Sequence, residues 1–240
     1  MNADLMLSLW ECAASKAPPA RDDALLAALH DAPPTSLGAH NAALLGLRSR
    51  LFGNEQPLRC NCPHCDATVE FAVDCDALSQ ALLPAADAAQ PQVLEAGDYR
   101  IEFRLPQVSD LRAAASLADE DLSFVQALLR RCVTKCEHRD GSTCAPADLP
   151  ANVADALSNR MEELEPGASV SFDLTCPECA GKWAAPMNAG DVLWSELQSR
   201  AERLLLDVDA LARAYGWTEP EILALSSTRR AAYLQLTGAL

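Results

Sequence analysis

The 240-residue sequence is poor in positive charge. Nineteen lysines and arginines stand against thirty-four aspartates and glutamates, which leaves a formal charge of -15 at pH 7. Such a chain repels the phosphate backbone of nucleic acids and the anionic surface of membranes. Nucleic acid is therefore a poor default partner for this protein.

Long apolar runs and export signals are missing as well. No run approaches the roughly 20 apolar residues that a membrane span needs. The opening "MNADLMLSLWECAASK" lacks the basic start and the apolar stretch of a signal peptide. We therefore expect a cytoplasmic protein. Because half of its residues are hydrophobic, the chain can bury a real core.

The sequence also lacks catalytic motifs. The four histidines are scattered, none stands in an H-E-x-x-H pattern, and the ten glycines form neither a phosphate-binding loop nor a G-x-S-x-G turn. Adjacent acidic residues such as Glu162 and Glu163 fall in polar helical stretches, where carboxylates are usually just solvated. We expect no catalytic residues and no enzymatic activity.

Cysteine, in contrast, is plentiful and patterned. Two segments, "LRCNCPHCDATVEFAV" and "FDLTCPECAGKWAAPM", each place C-P-x-C between two extended stretches. When their cysteines are superposed, Val69 falls on Trp183 and Cys60 falls on Leu174. The segments therefore form a weak internal repeat, in which Cys60 occupies an apolar strand position outside the C-P-x-C turn.

The repeat predicts one metal site built from both turns. A C-P-x-C turn presents two thiolates from one corner, and structural zinc takes four such ligands in a closed tetrahedron, with no open position for a substrate. Thiol-disulfide exchange is the alternative use of C-x-x-C, but that motif normally opens a helix in a βαβ unit. The expected ligands of one structural Zn²⁺ are Cys62, Cys65, Cys176 and Cys179.

A second cysteine cluster, in "RCVTKCEHRDGSTC", leaves two interpretations open. Cys132, Cys136, His138 and Cys144 are residue types that could bind a second metal ion. Alternatively, Cys132 and Cys136 lie one helical turn apart and act as small apolar residues on one helix face. The second interpretation requires only ordinary packing and is favoured.

Apolar spacing divides the chain into helical and extended segments. We expect one α+β domain over residues 1–240, with helical N- and C-terminal segments around a small antiparallel sheet and a split zinc-ribbon-like site. The most linker-like stretch is 84–92. The predicted segments are 1–55 (three short helices), 56–105 (first zinc knuckle and strands), 106–165 (helical insertion), 166–190 (second zinc knuckle) and 191–240 (helices, the first from about Asp191 to Tyr215).

Several short segments have a further significance when they are taken together: "LSLWE", "LLGLRSRLFG", both C-P-x-C turns, "RRCV", and "YGWTEPEILALS" followed by "RRAAYL". This combination resembles a family encoded with contractile phage tails and phage-like contractile injection systems, the baseplate hub assembly chaperones of T-even phage type. Members usually have glycine directly after each C-P-x-C turn, which is called a zinc knuckle. This chain instead has Asp66 and Ala180, with Gly181 one position later.

The resemblance implies a role in building or forming the baseplate of a contractile tail, through binding of baseplate, hub or spike proteins and without turnover. It is compatible with a cytoplasmic assembly factor and with a protein incorporated into the particle. An exposed aromatic side chain such as Trp10 or Trp217 could dock a partner. The competing interpretation is a zinc-ribbon protein that binds nucleic acid or regulates, which would show salt-sensitive retention of DNA or RNA.

Overall fold

The structure is a computed structural model and describes residues 3–28, 33–83, 90–117 and 123–238. The chain divides into two compact units, one formed by residues 1–31 and 190–240 and the other by residues 32–189. Most of the linker-like stretch 84–92 lies outside the described residues. Within the described part, no helix combines the length and the apolar character needed to cross a bilayer.

The described elements make an α+β protein, as predicted. The helices are α1 (Ala3–Ala14), α2 (Ala20–Ala27), α3 (Leu37–Phe52), α4 (Cys75–Ala81), α5 (Val108–Leu117), α6 (Phe124–Cys132), α7 (Ala151–Leu164), α8 (Ala189–Tyr215), α9 (Glu219–Leu223) and α10 (Ser227–Thr237). The strands are β1 (Glu55–Asn61), β2 (Thr68–Asp74), β3 (Gln92–Ala96), β4 (Tyr99–Phe103), β5 (Val133–His138), β6 (Val170–Thr175) and β7 (Lys182–Met187).

The strands form three small antiparallel sheets where the sequence suggested one. β1 pairs with β2, β6 pairs with β7, and β3, β4 and β5 form a three-stranded sheet. The three short helices predicted before residue 55 are confirmed, and α3 ends at Gly53, whose φ of 99° favours glycine. The α4 helix was not predicted; Asp74 caps it by accepting a hydrogen bond from the N–H of Ala77.

The helical assignment of residues 133–136 is wrong, because this stretch belongs to β5 and pairs with β4. Cys132 ends α6 and Cys136 lies in β5, and their separation of four positions also fits about one turn of a continuous helix. Cys132 and Cys136 are buried against Ile101 and Phe103 of β4 and Leu157 of α7. The small apolar role expected for these residues therefore holds for Cys132, the last residue of α6, whereas Cys136 forms a disulfide with Cys144.

A buried carboxylate joins α5 to the ends of β4 and α6. The side chain of Asp110 is 1% exposed and accepts hydrogen bonds from Nη2 of Arg104 at 2.9 Å and from Nε of Arg131 at 3.0 Å. The backbone N–H of Gln107 donates to its second oxygen at 3.0 Å. The network assigns a structural role to the second arginine of "RRCV".

In the unit formed by residues 1–31 and 190–240, α8 extends as predicted to Tyr215 and ends at Gly216, whose φ is 69°. One face of α8 is buried through Leu193, Leu197, Ala201 and Leu204. Beyond the turn, Thr218 and Glu221 form a capping box at the start of α9. Trp217, which we considered for docking, is half-buried and packs edge-to-face on Tyr233 at 4.9 Å.

A glycine turn after α7 packs against the start of α3 and the end of α4. Oε1 of Glu165 accepts a hydrogen bond from the N–H of Gly38 at 2.9 Å, and the side chain of Asn41 donates to the carbonyl of Gly167 at 2.9 Å. A Cβ on Gly167 would lie 2.0 Å from the carbonyl oxygen of Leu82. Only glycine fits at this position, since the opposing atoms are backbone.

We expect Gly167→Ala to lower the free energy of unfolding by about 3 kcal/mol, because relief of the clash requires a backbone shift in a packed region. Gly46→Ala in α3 is the matched control, since a Cβ there meets nothing within 4 Å. That control should raise stability by up to about 1 kcal/mol through helix propensity. Urea unfolding followed by circular dichroism measures both variants, and equal midpoints would contradict the close approach.

Candidate metal centre

The two C-P-x-C turns connect the strands of the two hairpins, β1–β2 and β6–β7. Cys60 lies opposite Val69 in the first hairpin, and Leu174 lies opposite Trp183 in the second. These are the pairs that the internal repeat aligns. The register therefore confirms that Cys60 is a strand residue and not part of the turn.

Backbone hydrogen bonds close the two turns in the same way. The N–H of Cys62 donates to the carbonyl of Ala67 at 2.9 Å, and the N–H of Cys176 donates to the carbonyl of Gly181 at 2.9 Å. Inside the turns, the N–H of Asp66 and that of Ala180 return to the carbonyls of Cys62 (2.9 Å) and Cys176 (3.0 Å), respectively. The two pairs of cysteines are thus presented by equivalent turns.

The residues that replace the usual glycines adopt a left-handed backbone conformation. Asp66 has a φ of 60° and Ala180 a φ of 57°, a region that costs a residue with a Cβ roughly 1 to 2 kcal/mol. Asp66 is supported by a hydrogen bond from the side chain of Asn61 at 3.1 Å. Glycine is required at position 181, one residue later, for a different reason: a Cβ there would lie 2.4 Å from the ring of His64.

The four predicted ligands lie together. The sulfurs of Cys62 and Cys179 are 3.7 Å apart. Those of Cys65 and Cys176 are 3.6 Å apart, and all four lie within 4.8 Å of one another. A tetrahedral ion with sulfur ligands at about 2.3 Å requires sulfur separations of about 3.8 Å. The donor set therefore fits one thiolate-bound zinc ion in both chemistry and size.

Each turn directs backbone N–H groups at its sulfurs. The N–H of His64 lies 3.5 Å from Sγ of Cys62. In the second turn, the N–H groups of Cys179 and Glu178 donate to the sulfur of Cys176. The N–H of Cys179 has the larger effect, and the two groups lower the pKa of this thiol to about 7. Hydrogen bonds to sulfur favour the thiolate, which is the form that binds metal.

The thiol of Cys65, which lies 3.6 Å from that of Cys176, has a pKa shifted in the opposite direction. The N–H of Ala67 lowers its pKa, but the sulfur of Cys179, burial and the other two sulfurs together raise the pKa to about 12. The thiolate form is therefore favoured at Cys176 and disfavoured at Cys65.

We expect Ala180→Gly to stabilise the protein by about 1 kcal/mol, because glycine adopts a positive φ without the cost that alanine carries. Ala184→Gly is the matched control on the neighbouring exposed strand position of β7, where glycine should destabilise by about 0.5 to 1 kcal/mol. Thermal unfolding of the zinc-loaded proteins separates the two signs. A decrease for both variants would contradict the role of the left-handed turn.

The second cysteine cluster has a different organisation. A disulfide joins Cys136 in β5 to Cys144 in the loop that follows this strand. The sequence did not predict this bond. The ring of His138 packs on that of Tyr99 at 4.4 Å, and burial raises the pKa of Cys132 to about 12. Among the described residues, only the four-sulfur cluster gathers three or more potential metal ligands.

Comparisons with known proteins bear on the central part of the chain. No curated protein and no solved structure matches the chain. A family model described as T4 bacteriophage base plate protein matches residues 30–185, a range that includes both knuckles, the three-stranded sheet and the Asp110 network. Because this match covers well over half of the sequence, the chain belongs to the T4 bacteriophage base plate protein family.

Proposed function

We propose that this protein is a non-enzymatic assembly factor or component of the baseplate of a contractile phage-like tail or injection system. It acts by binding other baseplate proteins, among which hub and spike proteins are the expected partners. The family match over residues 30–185 is the observation that carries this proposal. The chaperone activity implied by the sequence resemblance is part of the same proposal.

A structural Zn²⁺ held by Cys62, Cys65, Cys176 and Cys179 is the second part of the proposal. Four sulfurs at tetrahedral spacing complete the coordination of zinc and leave no position for a substrate. The ion would therefore support the fold and not catalyse a reaction. Because the ligands come from two distant segments, metal binding also ties residues 62 and 179 into one unit.

The nucleic-acid alternative is weaker on electrostatic grounds. The formal charge of -15 opposes contact with phosphate groups. A closed zinc site is common to both alternatives and does not discriminate between them. Retention on DNA-cellulose that falls steeply with salt would favour the alternative, whereas the baseplate proposal predicts no such retention.

Pairwise co-expression with the hub, spike and other baseplate proteins encoded beside this gene tests the proposal. We expect one of them to form a complex that survives size-exclusion chromatography, and deletion of the gene to yield incomplete tails by electron microscopy. If no pair forms a complex and particles assemble normally without the gene, the proposal fails. Neighbouring genes that encode no sheath or tube proteins would count equally against it.

A further inference from the structure

The three-stranded sheet has one covered edge and one uncovered edge. Outside β5, the N–H of His138 donates to the carbonyl of Ser142 at 2.7 Å, and the N–H of Cys144 donates to the carbonyl of Cys136 at 3.1 Å. The segment that follows β5 therefore occupies that edge. β3 forms the other edge, since among the described strands it pairs with β4 alone.

The register of the β3–β4 hairpin identifies the backbone groups that point outward. Its two-residue loop begins with Gly97, whose φ is 62°. In such a hairpin the flanking residues, Ala96 and Tyr99, form a hydrogen-bonded pair, and bonded and non-bonded pairs alternate from there. The N–H and C=O groups of Val93 and Glu95 therefore point away from β4. Within the described ranges, no residue hydrogen-bonds to these groups.

The side chains of β3 also indicate a missing neighbour. Val93 is 48% exposed and is the only exposed large hydrophobic residue in any described strand. On the other face of β3, Leu94 and Ala96 pack on the core of the sheet but are only half-buried. Ile101, which lies opposite Leu94 on β4, is fully buried. The core is therefore covered at β4 and incompletely covered at the outer side of β3.

β3 lacks the usual protection of an edge strand. Edge strands are commonly blocked by proline, lysine or a bulge, which prevents pairing with another chain. β1 and β7 contain Pro57 and Pro186. β3 reads Gln-Val-Leu-Glu-Ala and pairs with β4 without a register shift. The edge of β3 is therefore suited to accept a further strand.

The sequence of this edge suits antiparallel pairing with a second copy of itself. A twofold pairing that uses the outward groups can be centred on Val93, Leu94 or Glu95. Centring on Val93 places Glu95 opposite Pro91, which has no N–H. Centring on Glu95 places two like charges directly opposite each other, which is destabilising. Centring on Leu94 pairs Val93 of each copy with Glu95 of the other, so every outward group is bonded and the carboxylates stay apart.

We propose that the chain forms a twofold dimer through β3, in which the two three-stranded sheets join into one continuous sheet. Leu94 of each copy faces Leu94 of the other on the core side, and Val93 faces Glu95 on the solvent side. The pairing supplies the neighbour that the half-buried Leu94 and the exposed Val93 lack. The inference goes beyond the proposed function and does not depend on it.

Sedimentation equilibrium of the full zinc-loaded chain tests the dimer. The contact has five residues a side, so the dimer should become populated at roughly 0.1 mM. The apparent mass should rise from 25.7 kDa toward twice that value, and amide exchange in β3 should slow in parallel. Added salt should strengthen the dimer, because it screens the repulsion between two chains of formal charge -15. A monomer at all concentrations up to about 1 mM, or slowed exchange confined to other elements, would overturn the proposal.

Val93→Pro removes an N–H that only the second copy would use. Since this N–H points away from β4, the β3–β4 hairpin should remain intact. The dissociation constant of the dimer should rise about tenfold or more, because half of the hydrogen bonds between the copies are lost. Val93→Thr is the matched control, which keeps the N–H and should stay within about threefold of the parent. Equal dissociation constants for Val93→Pro and the parent chain would contradict pairing through β3.

Val93→Lys tests the register by the sign of its effect. Lysine on an edge strand normally opposes pairing. In the proposed register, however, the new ammonium group lies opposite Glu95 of the second copy, so the dissociation constant should fall about threefold. Ala184→Lys at an exposed position of β7 changes the net charge equally and is the control. Weakening by Val93→Lys, or equal strengthening by both variants, would overturn the proposed pairing.

A strand from another protein is the alternative occupant of this edge. If the pure chain stays monomeric and a co-expressed baseplate protein slows amide exchange in β3, the edge belongs to that protein and the dimer is wrong. If the dimer forms as described and no baseplate protein binds the chain, the dimer stands and the proposed function fails. The two proposals can therefore be rejected separately.

Discussion

Cys176→Ser should abolish stoichiometric zinc binding and remove most of the soluble protein. Cys176 is 2% exposed and its sulfur lies 3.6 Å from that of Cys65, so the variant lacks one of four converging donors in a closed site. Three sulfurs hold zinc far less well than four, and metal binding in such sites is partly folding free energy. Elemental analysis should find about one zinc per parent chain and almost none in the remaining soluble variant.

Cys60→Ser is the control for this prediction, because it removes a thiol two residues from a ligand and leaves the four-sulfur cluster intact. We expect parental zinc content and only a modest decrease in unfolding temperature. Chelator treatment of the parent chain should reproduce the Cys176→Ser phenotype. A parent chain purified without chelator that contains no zinc would contradict the proposed metal site directly.

Asp110→Ala should lower the free energy of unfolding by about 3 kcal/mol. The change leaves Arg104 and Arg131 without their shared carboxylate and the N–H of Gln107 without an acceptor. Glu163→Ala is the control, since Glu163 pairs with Arg160 on an exposed helix face and should cost under about 0.5 kcal/mol. Similar losses for both variants in urea unfolding would contradict the buried network.

The same carboxylate predicts a pH dependence. Burial alone raises the pKa of Asp110, but hydrogen bonds from Arg104, Gln107 and Arg131 outweigh burial and bring the pKa below its usual 3.8. Its contribution to stability is therefore complete above pH 3.8 and is lost as the pH falls through the lower folded value. Asp110→Asn should remove this part of the acid sensitivity, measurable as a flatter dependence of unfolding free energy on pH below about 4.

The gathering of Cys62, Cys65, Cys176 and Cys179 into one cluster could be predicted from the sequence, because an internal repeat sorted the cysteines. Equivalent turns demand equivalent residues, so alignment of the two segments separated Cys60 from Cys62 and Cys65. Most of the helices also followed from local apolar spacing. That spacing depends on residues close in the chain, whereas the repeat identified two turns that are far apart in it.

Contacts between distant residues that no repeat signals were beyond the sequence. Asp110 meets Arg131 across 21 positions, and nothing in the local spacing distinguishes it from a solvated aspartate. β5 was missed because its side-chain spacing also fits a helix, and its pairing with β4 decides between them. The disulfide from Cys136 to Cys144 follows from that strand assignment, since only the hairpin brings the two cysteines together.

The separation of the two knuckles has a consequence for synthesis of the chain. Cys65 and Cys176 are 111 positions apart, which a ribosome covers in roughly 5 to 20 s at the usual elongation rate. For that interval the first hairpin has only two of its four sulfurs, and the three-stranded sheet between the knuckles can form before the metal site. The proposed zinc ion would therefore close the unit formed by residues 32–189 at the end of its translation, and a ribosome stalled before Cys179 would carry an unfinished site.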